Sequence, residues 1–473
     1  MKLSLGEMIY RWQDEPAIIM EKDGEKISIP YKQFTHDISC GLTLLEEDKK
    51  HIAILADNSY EWMVLGIGIL IHKDYVLVAV DSTLPPEDIK EQLEKADVDI
   101  IYKGDDVSYS HPDILTRSLE KSINEAIQRG NTIPFENPST AETLKLLIFT
   151  SGTNSKAKAV KVDVTRLTSS FYIGDEEYWK LQEFAYLRKD SLLMMPLCHT
   201  FGIRGVVLPA LVGGVSISMG RGKRYLLEDI AYFEPETLSC SPGMAEIMLK
   251  KAEQENNFEG VFGRRLHYMI CGSAPFPKDI IQALNEKGIH VRNGYGQTEC
   301  SPIANGRWDD DSSELIPNDG VEIKLSDSGE ILVKSIHVCP GYYKAEEETE
   351  KQFLDGYWRT GDIGVWVDDN VFRIVGRLKE MIALSNGKKI FPSELEAKLE
   401  KFDGIKECYI EKLPDSDNLK AWIVVESEEY SKADNLRSIV KAYNREEPMY
   451  RKLTEYEVTD HIERNTLGKK VRR

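Results

Sequence analysis

Between an apolar run at 146–149 and Val160 stand the side chains a polyphosphate would need: Thr150, Ser151, Gly152, Thr153, Ser155 and Lys158. An apolar strand that ends in a hydroxyl-rich turn presents several O–H and backbone N–H donors to one point, and Lys158 adds a mobile positive charge. The pattern G-x-x-x-x-G-K-[ST] is absent and no clear helix follows, so this is not a Walker-type loop. Taken alone, the stretch could equally be a Ser/Thr-rich surface turn.

A second stretch, "NGYGQTECSPIA" (293–304), places Gly294 and Gly296 on either side of Tyr295. The glycines let the backbone turn tightly and present the ring, and Thr298 and Glu299 then supply a hydroxyl and a carboxylate. A carboxylate beside phosphate donors is what Mg²⁺ on ATP requires; a solvated Glu in a surface turn is the alternative. In "GYWRTGDIGVW" (356–366), Asp362 follows Gly361, where a carboxylate can accept from two ribose hydroxyls or close an Asx-turn. "GRLKEMIALSNGKKIFPSELE" (376–396) sets a basic turn before a helix starting at Pro392, and "ERNTLGKKVRR" ends the chain as a basic tail.

Such stretches need a frame that ends several strands beside one another. Residues 51–57, 75–81 and "VDIIYKG" read as buried strands, with helices at "SYEWMVLGIGILIHK" and "LPPEDIKEQLEKAD" between them, the second carrying Pro in its first turn. Strand–helix–strand repetition at this spacing implies a parallel sheet covered by helices. The pattern recurs at 191–197, 214–220, 266–272 and 289–296. Residues 320–378 change to short strands with turn signals, a small β-rich subdomain. The end reads as an α+β unit: helix "PSELEAKLEKFD", strands "IKECYIEKL" and "KAWIVVES", helix "NLRSIVKAYNREE". The fold class is α/β.

Composition bounds the function. The chain has 473 residues, 41% of them hydrophobic, which is enough for two or more domains with sizeable cores. A formal charge of −19 argues against nucleic acid as a partner. No segment approaches the roughly 20 uncharged apolar residues of a membrane span, and acids enter the N-terminus too early for a secretory signal, so a cytoplasmic location is expected. Seven scattered cysteines without a C-x-x-C pair read as buried thiols. Residues 379–473 hold 19 of the 60 Lys and Arg and 19 of the 79 Asp and Glu. They are neutral, all the net acidity precedes them, and a domain boundary near 378 follows.

In this order and spacing, the five stretches resemble those of the adenylate-forming superfamily of acyl-CoA synthetases, firefly luciferase and peptide-synthetase adenylation domains. The likeness runs from "NSYEWMVLGIGIL" to the last residue and is closest to the fatty acyl-CoA synthetases. It implies domains at 1–377, binding ATP and acid, and at 378–473, small and mobile. The turn at 150–158 is similar to Y-T-S-G-T-T-G-x-P-K-G-V, which holds the ATP phosphates. Ser155 and Ala159 stand where that pattern has Gly, and Ala157 where it has Pro. The added Cβ atoms should stiffen the loop.

The resemblance also implies roles. Gly272, Ser273, Ala274 and Pro275 of "CGSAPFP" would line the nucleotide, Tyr295 would stack on adenine with Gly296 beside it in the ATP site, and Thr298 would contact the α-phosphate. Glu299 would hold Mg²⁺, Asp362 and Arg377 the ribose hydroxyls. Lys379 takes the hinge position, and Lys469, directly after Gly468, that of the adenylation lysine. "PLCHTFGIRG" (196–205) is similar to P-L-F-H-x-x-G, which puts His199 beside the acyl carboxylate; a core histidine is the alternative. No Asp stands in 198–206 to bind an amine, so an amino acid is disfavoured. Arg204 is expected in a structural ion pair rather than on a second substrate carboxylate. The implied activity is ATP-dependent activation of a fatty or aromatic acid to an acyl-adenylate, then transfer to a thiol. CoA is the expected acceptor. The phosphopantetheine of an acyl-carrier protein is the rival acceptor, and a non-catalytic nucleotide binder the rival from another class.

Overall fold

The computed structural model describes residues 2–150, 157–173, 176–177, 189–272, 276–310, 313–385, 387–414 and 416–463. The chain forms two compact units. The first comprises the described residues of Met1–Gly152, Lys156–Glu322 and Val333–Trp358, the second those of Ile323–Leu332 and Arg359–Arg473.

The first unit holds two sheets. In one, the strands Leu115–Ser118, Ile100–Lys103, His51–Leu55, Val76–Ala79 and Leu144–Phe149 run parallel in that order, and Ala159–Asp163 closes the edge antiparallel. Val76–Ala79 is buried throughout, as its unbroken apolar run requires of a strand covered on both faces. The helix Tyr60–Ile71 starts at Ser59, whose hydroxyl accepts from the Trp62 N–H, and nearly every residue in it is buried. A helix apolar on all sides packs on all sides.

The second sheet orders Ile316–Pro317, Ala304–Asn305, His290–Tyr295, Tyr268–Cys271, Thr237–Cys240, Ser191–Leu193, Ile217–Met219, Pro16–Lys22 and Glu25–Pro30. From His290–Tyr295 to Pro16–Lys22 every pairing is parallel. The four strands expected between 191 and 296 are all present, each shorter than its apolar run. The hairpin Pro16–Lys22/Glu25–Pro30 is an addition to the sequence reading. It turns at Asp23 and Gly24, both at positive φ (54° and 83°), the Asp-Gly pair that two-residue hairpins favour. A core of Leu238, Met248, Phe262, Met269, Leu284 and their neighbours fills the space beneath this sheet.

In the second unit, Asp362 pairs with Arg377 across the antiparallel strands Tyr357–Asp368 and Val371–Arg377. The strands Ile405–Lys412 and Leu419–Val425 are antiparallel, and Leu453–Val458 joins the second of them in parallel. Helices Pro392–Leu399 and Ala433–Glu446 accompany this sheet, with Ile390, Leu395, Leu399, Ile423 and Tyr443 in the core. Residues 359–377 therefore group with the C-terminal unit, on the far side of the 377/378 division read from charge. Packing explains it: a Cβ built on Gly376 would lie 2.6 Å from the Phe391 ring, so the 371–377 strand is pressed against the start of the C-terminal unit's first helix.

Candidate active site

The hydroxyl-rich turn begins and ends on paired strands. Phe149 pairs with Ala159, and the Thr150 N–H donates to the Lys158 carbonyl at 3.0 Å. Lys95 Nζ donates to the Ala157 carbonyl at 2.7 Å, which fixes the turn's exit. Ser151, Gly152, Thr153 and Ser155 lie outside the described residues. Along the outer edge of this pair runs the segment 341–343: Lys161 N–H donates to the Gly341 carbonyl and Tyr343 N–H to the Ala159 carbonyl. Gly341 has φ of 127°, and a Cβ there would fall 2.3 Å from Thr349, whose hydroxyl accepts the Tyr342 N–H. Glycine is the only residue that fits.

That edge brings Tyr342 between the two halves of the predicted phosphate and metal chemistry. Lys158 Nζ lies 4.6 Å from the centroid of its ring. Its hydroxyl donates to Glu299 Oε1 at 3.1 Å. Burial and the Glu299 carboxylate both hold the phenol well above its ordinary pKa, so it stays a donor.

Glu299 sits in the loop that leaves the strand His290–Tyr295. The N–H groups of Cys300 and Ser301 both donate to the Gln297 carbonyl, and the Ile303 N–H donates to the Tyr295 carbonyl, closing the turn. A Cβ on Gly296 would lie 3.2 Å from Ser301 Oγ, so the turn is tight there. The Glu299 carbonyl accepts from the Cys339 N–H. Arg204 makes no described ion pair, contrary to expectation. Its guanidinium donates to the carbonyls of Thr298 (3.4 Å), Ser301 (3.2 Å) and Arg166 (3.2 Å). The reason is position: the three backbone carbonyls converge on the guanidinium. Burial lowers its pKa to about 10, still charged at neutrality.

At the end of the neighbouring strand, Gly272 packs on Phe201: a Cβ would come within 2.9 Å of that ring. Asn293 Oδ1 accepts the Phe276 N–H at 2.8 Å, fixing the far end of the segment. Ser273, Ala274 and Pro275 lie outside the described residues. Phe201 opens the π-helical stretch Phe201–Val207, which follows His199 after the single residue Thr200. The His199 loop is tied down by Asn58, which donates to the Met195 carbonyl and accepts the Leu197 N–H. His199 Nε2 lies 3.6 Å from Asp81 Oδ2, and its side chain is 31% exposed. It is thus not a fully buried core histidine.

In the second unit, Arg377 Nε meets Asp362 Oδ1 at 2.8 Å; the carboxylate is buried and the guanidinium half exposed. The Thr360 hydroxyl accepts the Asp362 N–H and donates to the Ile331 carbonyl. Lys379 is exposed within the one-turn 3₁₀ segment Leu378–Glu380. Lys469 lies outside the described residues.

The sequence pattern of the AMP-binding enzymes matches residues 7–343. The chain belongs to that family. Its relatives include the 2-succinylbenzoate–CoA ligase of Enterococcus faecalis, 24% identical over 432 residues that cover 87% of this chain and 85% of that one. The long-chain-fatty-acid–CoA ligase FadD15 of Mycobacterium bovis is 23% identical, covering 74% of this chain and 68% of that one. Among solved structures, the O-succinylbenzoate coenzyme A synthetase (MenE) of Bacillus subtilis in complex with ATP and magnesium ion superposes with a TM-score of 0.84. It is 20% identical, over 100% of this chain and 98% of that chain. The fold is that of the adenylate-forming enzymes.

Glu299 offers Mg²⁺ a hard carboxylate oxygen in the loop that follows the strand His290–Tyr295. That suits an ion which takes one or two carboxylates and completes its shell with phosphates and water. The structure thus brings Lys158 to the ring face and Glu299 to the hydroxyl of one tyrosine, Gly272 to Phe201, His199 to Asp81, and Asp362 to Arg377. The sequence reading passed over Tyr342 and Asp81. "PGYYK" carried a signal for Tyr342, a glycine and two aromatics in a row. Asp81 carried none beyond its place at the end of an apolar run.

Proposed function

We propose that this AMP-binding enzyme activates a fatty or aromatic carboxylic acid with ATP to an acyl-adenylate, releasing pyrophosphate. It then passes the acyl group to the thiol of CoA, releasing AMP. The observation that carries the proposal is the convergence of Lys158 and Glu299 on Tyr342, a cation from the hydroxyl-rich turn meeting the carboxylate suited to Mg²⁺.

The hydroxyls and N–H groups of the 150–158 turn, with Lys158, bind the β- and γ-phosphates. Thr298 binds the α-phosphate, and Glu299 holds Mg²⁺, which neutralises charge on the phosphates when bound. Gly272, Ser273, Ala274, Pro275, Tyr295 and Gly296 form the adenine slot, and Asp362 with Arg377 receives the ribose hydroxyls. His199, oriented by Asp81, sits at the acyl carboxylate. Lys469 stabilises the charge that develops as the carboxylate attacks the α-phosphate. In the functional division, residues 1–377 bind ATP and acid, and residues 378–473 carry Lys469 and turn about Lys379. The cytoplasmic location is supported by seven cysteines that are all buried free thiols.

An ATP–pyrophosphate exchange assay over a panel of carboxylic acids, repeated with CoA, tests this. Exchange with at least one fatty or aromatic acid, and AMP release that CoA accelerates, is the expected result. Stimulation by an acyl-carrier protein and not by CoA would assign the thiol to the carrier. No exchange with any acid would leave a nucleotide-binding homologue without ligase activity.

A further inference from the structure

Tyr342 has more ties than a core tyrosine needs. It is 4% exposed, its ring stands T-shaped to buried Trp358 at 5.6 Å, and its N–H is bound by Thr349. Its backbone is bridged to Val160 in the strand that leaves the hydroxyl-rich turn. Every one of these contacts fixes where the ring can be. The ring's two remaining functions both go to charged groups: its face to Lys158 Nζ at 4.6 Å and its hydroxyl to Glu299 Oε1 at 3.1 Å.

These two contacts reinforce one another. A cation over the ring draws electron density from the phenol and strengthens its O–H as a donor. A carboxylate on the O–H returns density to the ring and strengthens the cation–π attraction. The two charges belong to different loops, 141 residues apart in the chain, and in the described residues the Tyr342 side chain links them directly.

We propose that Tyr342 is a positioning residue that couples the phosphate-side cation Lys158 to the metal-side carboxylate Glu299, so that Mg²⁺ and ATP bind as one ligand rather than independently. The inference rests on the proposed function, which gives Lys158 the phosphates and Glu299 the metal ion. It adds a residue that touches neither and sets the cooperativity between them.

Calorimetric titration of ATP into the full-length protein at graded Mg²⁺ concentrations tests it. Tyr342→Phe keeps the ring under Lys158 and removes the hydroxyl. The Mg²⁺ concentration that half-saturates the enhancement of ATP binding should rise about tenfold, the scale of losing one charge-assisted hydrogen bond. ATP affinity at saturating Mg²⁺ should change less than twofold. Tyr342→Leu loses both contacts and should weaken ATP binding at saturating Mg²⁺ as well; if it does not fold, the Phe variant carries the test. In a Glu299→Gln background, adding Tyr342→Phe should shift nothing further. An unshifted Mg²⁺ dependence in Tyr342→Phe, or the same shift with Gln at 299, overturns the coupling while leaving the nucleotide reading intact. A wild-type protein that binds no MgATP overturns both.

Discussion

Glu299 is held on its backbone by the Cys339 N–H and on its side chain by Tyr342, so its charge can be removed without removing its place. Glu299→Gln keeps the shape and still offers the Tyr342 hydroxyl an amide oxygen. What it loses is the negative charge that a hard dication needs. Mg²⁺-dependent pyrophosphate exchange should fall by about 10²–10³, the scale of losing one preorganised electrostatic contact, with the circular dichroism spectrum unchanged. Exchange near the wild-type rate would remove Glu299 from the metal site. Glu299 was legible in the sequence because it follows Tyr295 and Thr298 in one short turn. Tyr342 was not, because its meaning depends on strand-edge pairing with residues more than 180 positions earlier. No local period announces such a contact.

Two elements deserve separate tests. The stretch 150–159 departs from the pattern it resembles at 155, 157 and 159, and the structure gives the last two definite tasks. Ala159 is fully buried and paired with both Phe149 and Tyr343, and the Ala157 carbonyl holds Lys95. Restoring Gly at 155 and 159 loosens the backbone, so the Michaelis constant for ATP should change at least threefold while that for the acid stays within twofold. An unchanged ATP constant would place these positions off the phosphate path. The second element is the helix Tyr60–Ile71. Just beyond its end, the carbonyls of His72 and Lys73 accept from Lys145 Nζ at 3.1 and 2.8 Å, inside the core. Burial pushes this amine down to about 7, and a neutral amine still has two N–H groups for its two carbonyls. From about pH 7 to 10.5 the unfolded chain holds a proton that the folded one has shed, so stability from this group rises with pH. It is lost as pH falls through about 7. Lys145→Met removes that dependence, and denaturant melts should show the wild type gaining on the variant by up to ~1.4 kcal/mol per pH unit between pH 7.5 and 9.5. A constant difference would mean the lysine is charged in the fold. Helix and strand positions such as these were legible from apolar runs and caps. The strand Leu453–Val458 was not, because "LTEYEV" is mostly polar and exposed, and only its parallel pairing with Leu419–Val425 makes it a strand.

At the scale of the whole molecule, charge marked a division at 378 and packing marks one at 358/359, because the paired strands that carry Asp362 and Arg377 join the C-terminal unit. The two are reconciled if compactness and movement divide the chain at different places, with Lys379 as the pivot just after those strands. Separate half-reactions then test the division. Lys469→Ala should lose adenylate formation by about 10²–10³, yet transfer the acyl group from a presynthesised acyl-adenylate at close to the normal rate. In the proposed function Lys469 acts only in adenylation, so its loss spares thiol transfer. Lys379→Pro should do the reverse. Lys379 lies in the first turn of a 3₁₀ segment, where proline's fixed φ is tolerated, so the adenylating arrangement survives while rotation is blocked. Lys470→Ala is the internal control, since it differs from Lys469→Ala by one position in the same tail and should be nearly silent. If Lys470 proves essential and Lys469 dispensable, the adenylation lysine is the later residue. If Lys469→Ala slows both half-reactions equally, the C-terminal residues do not leave the site between them, and the two-arrangement reading fails as a whole.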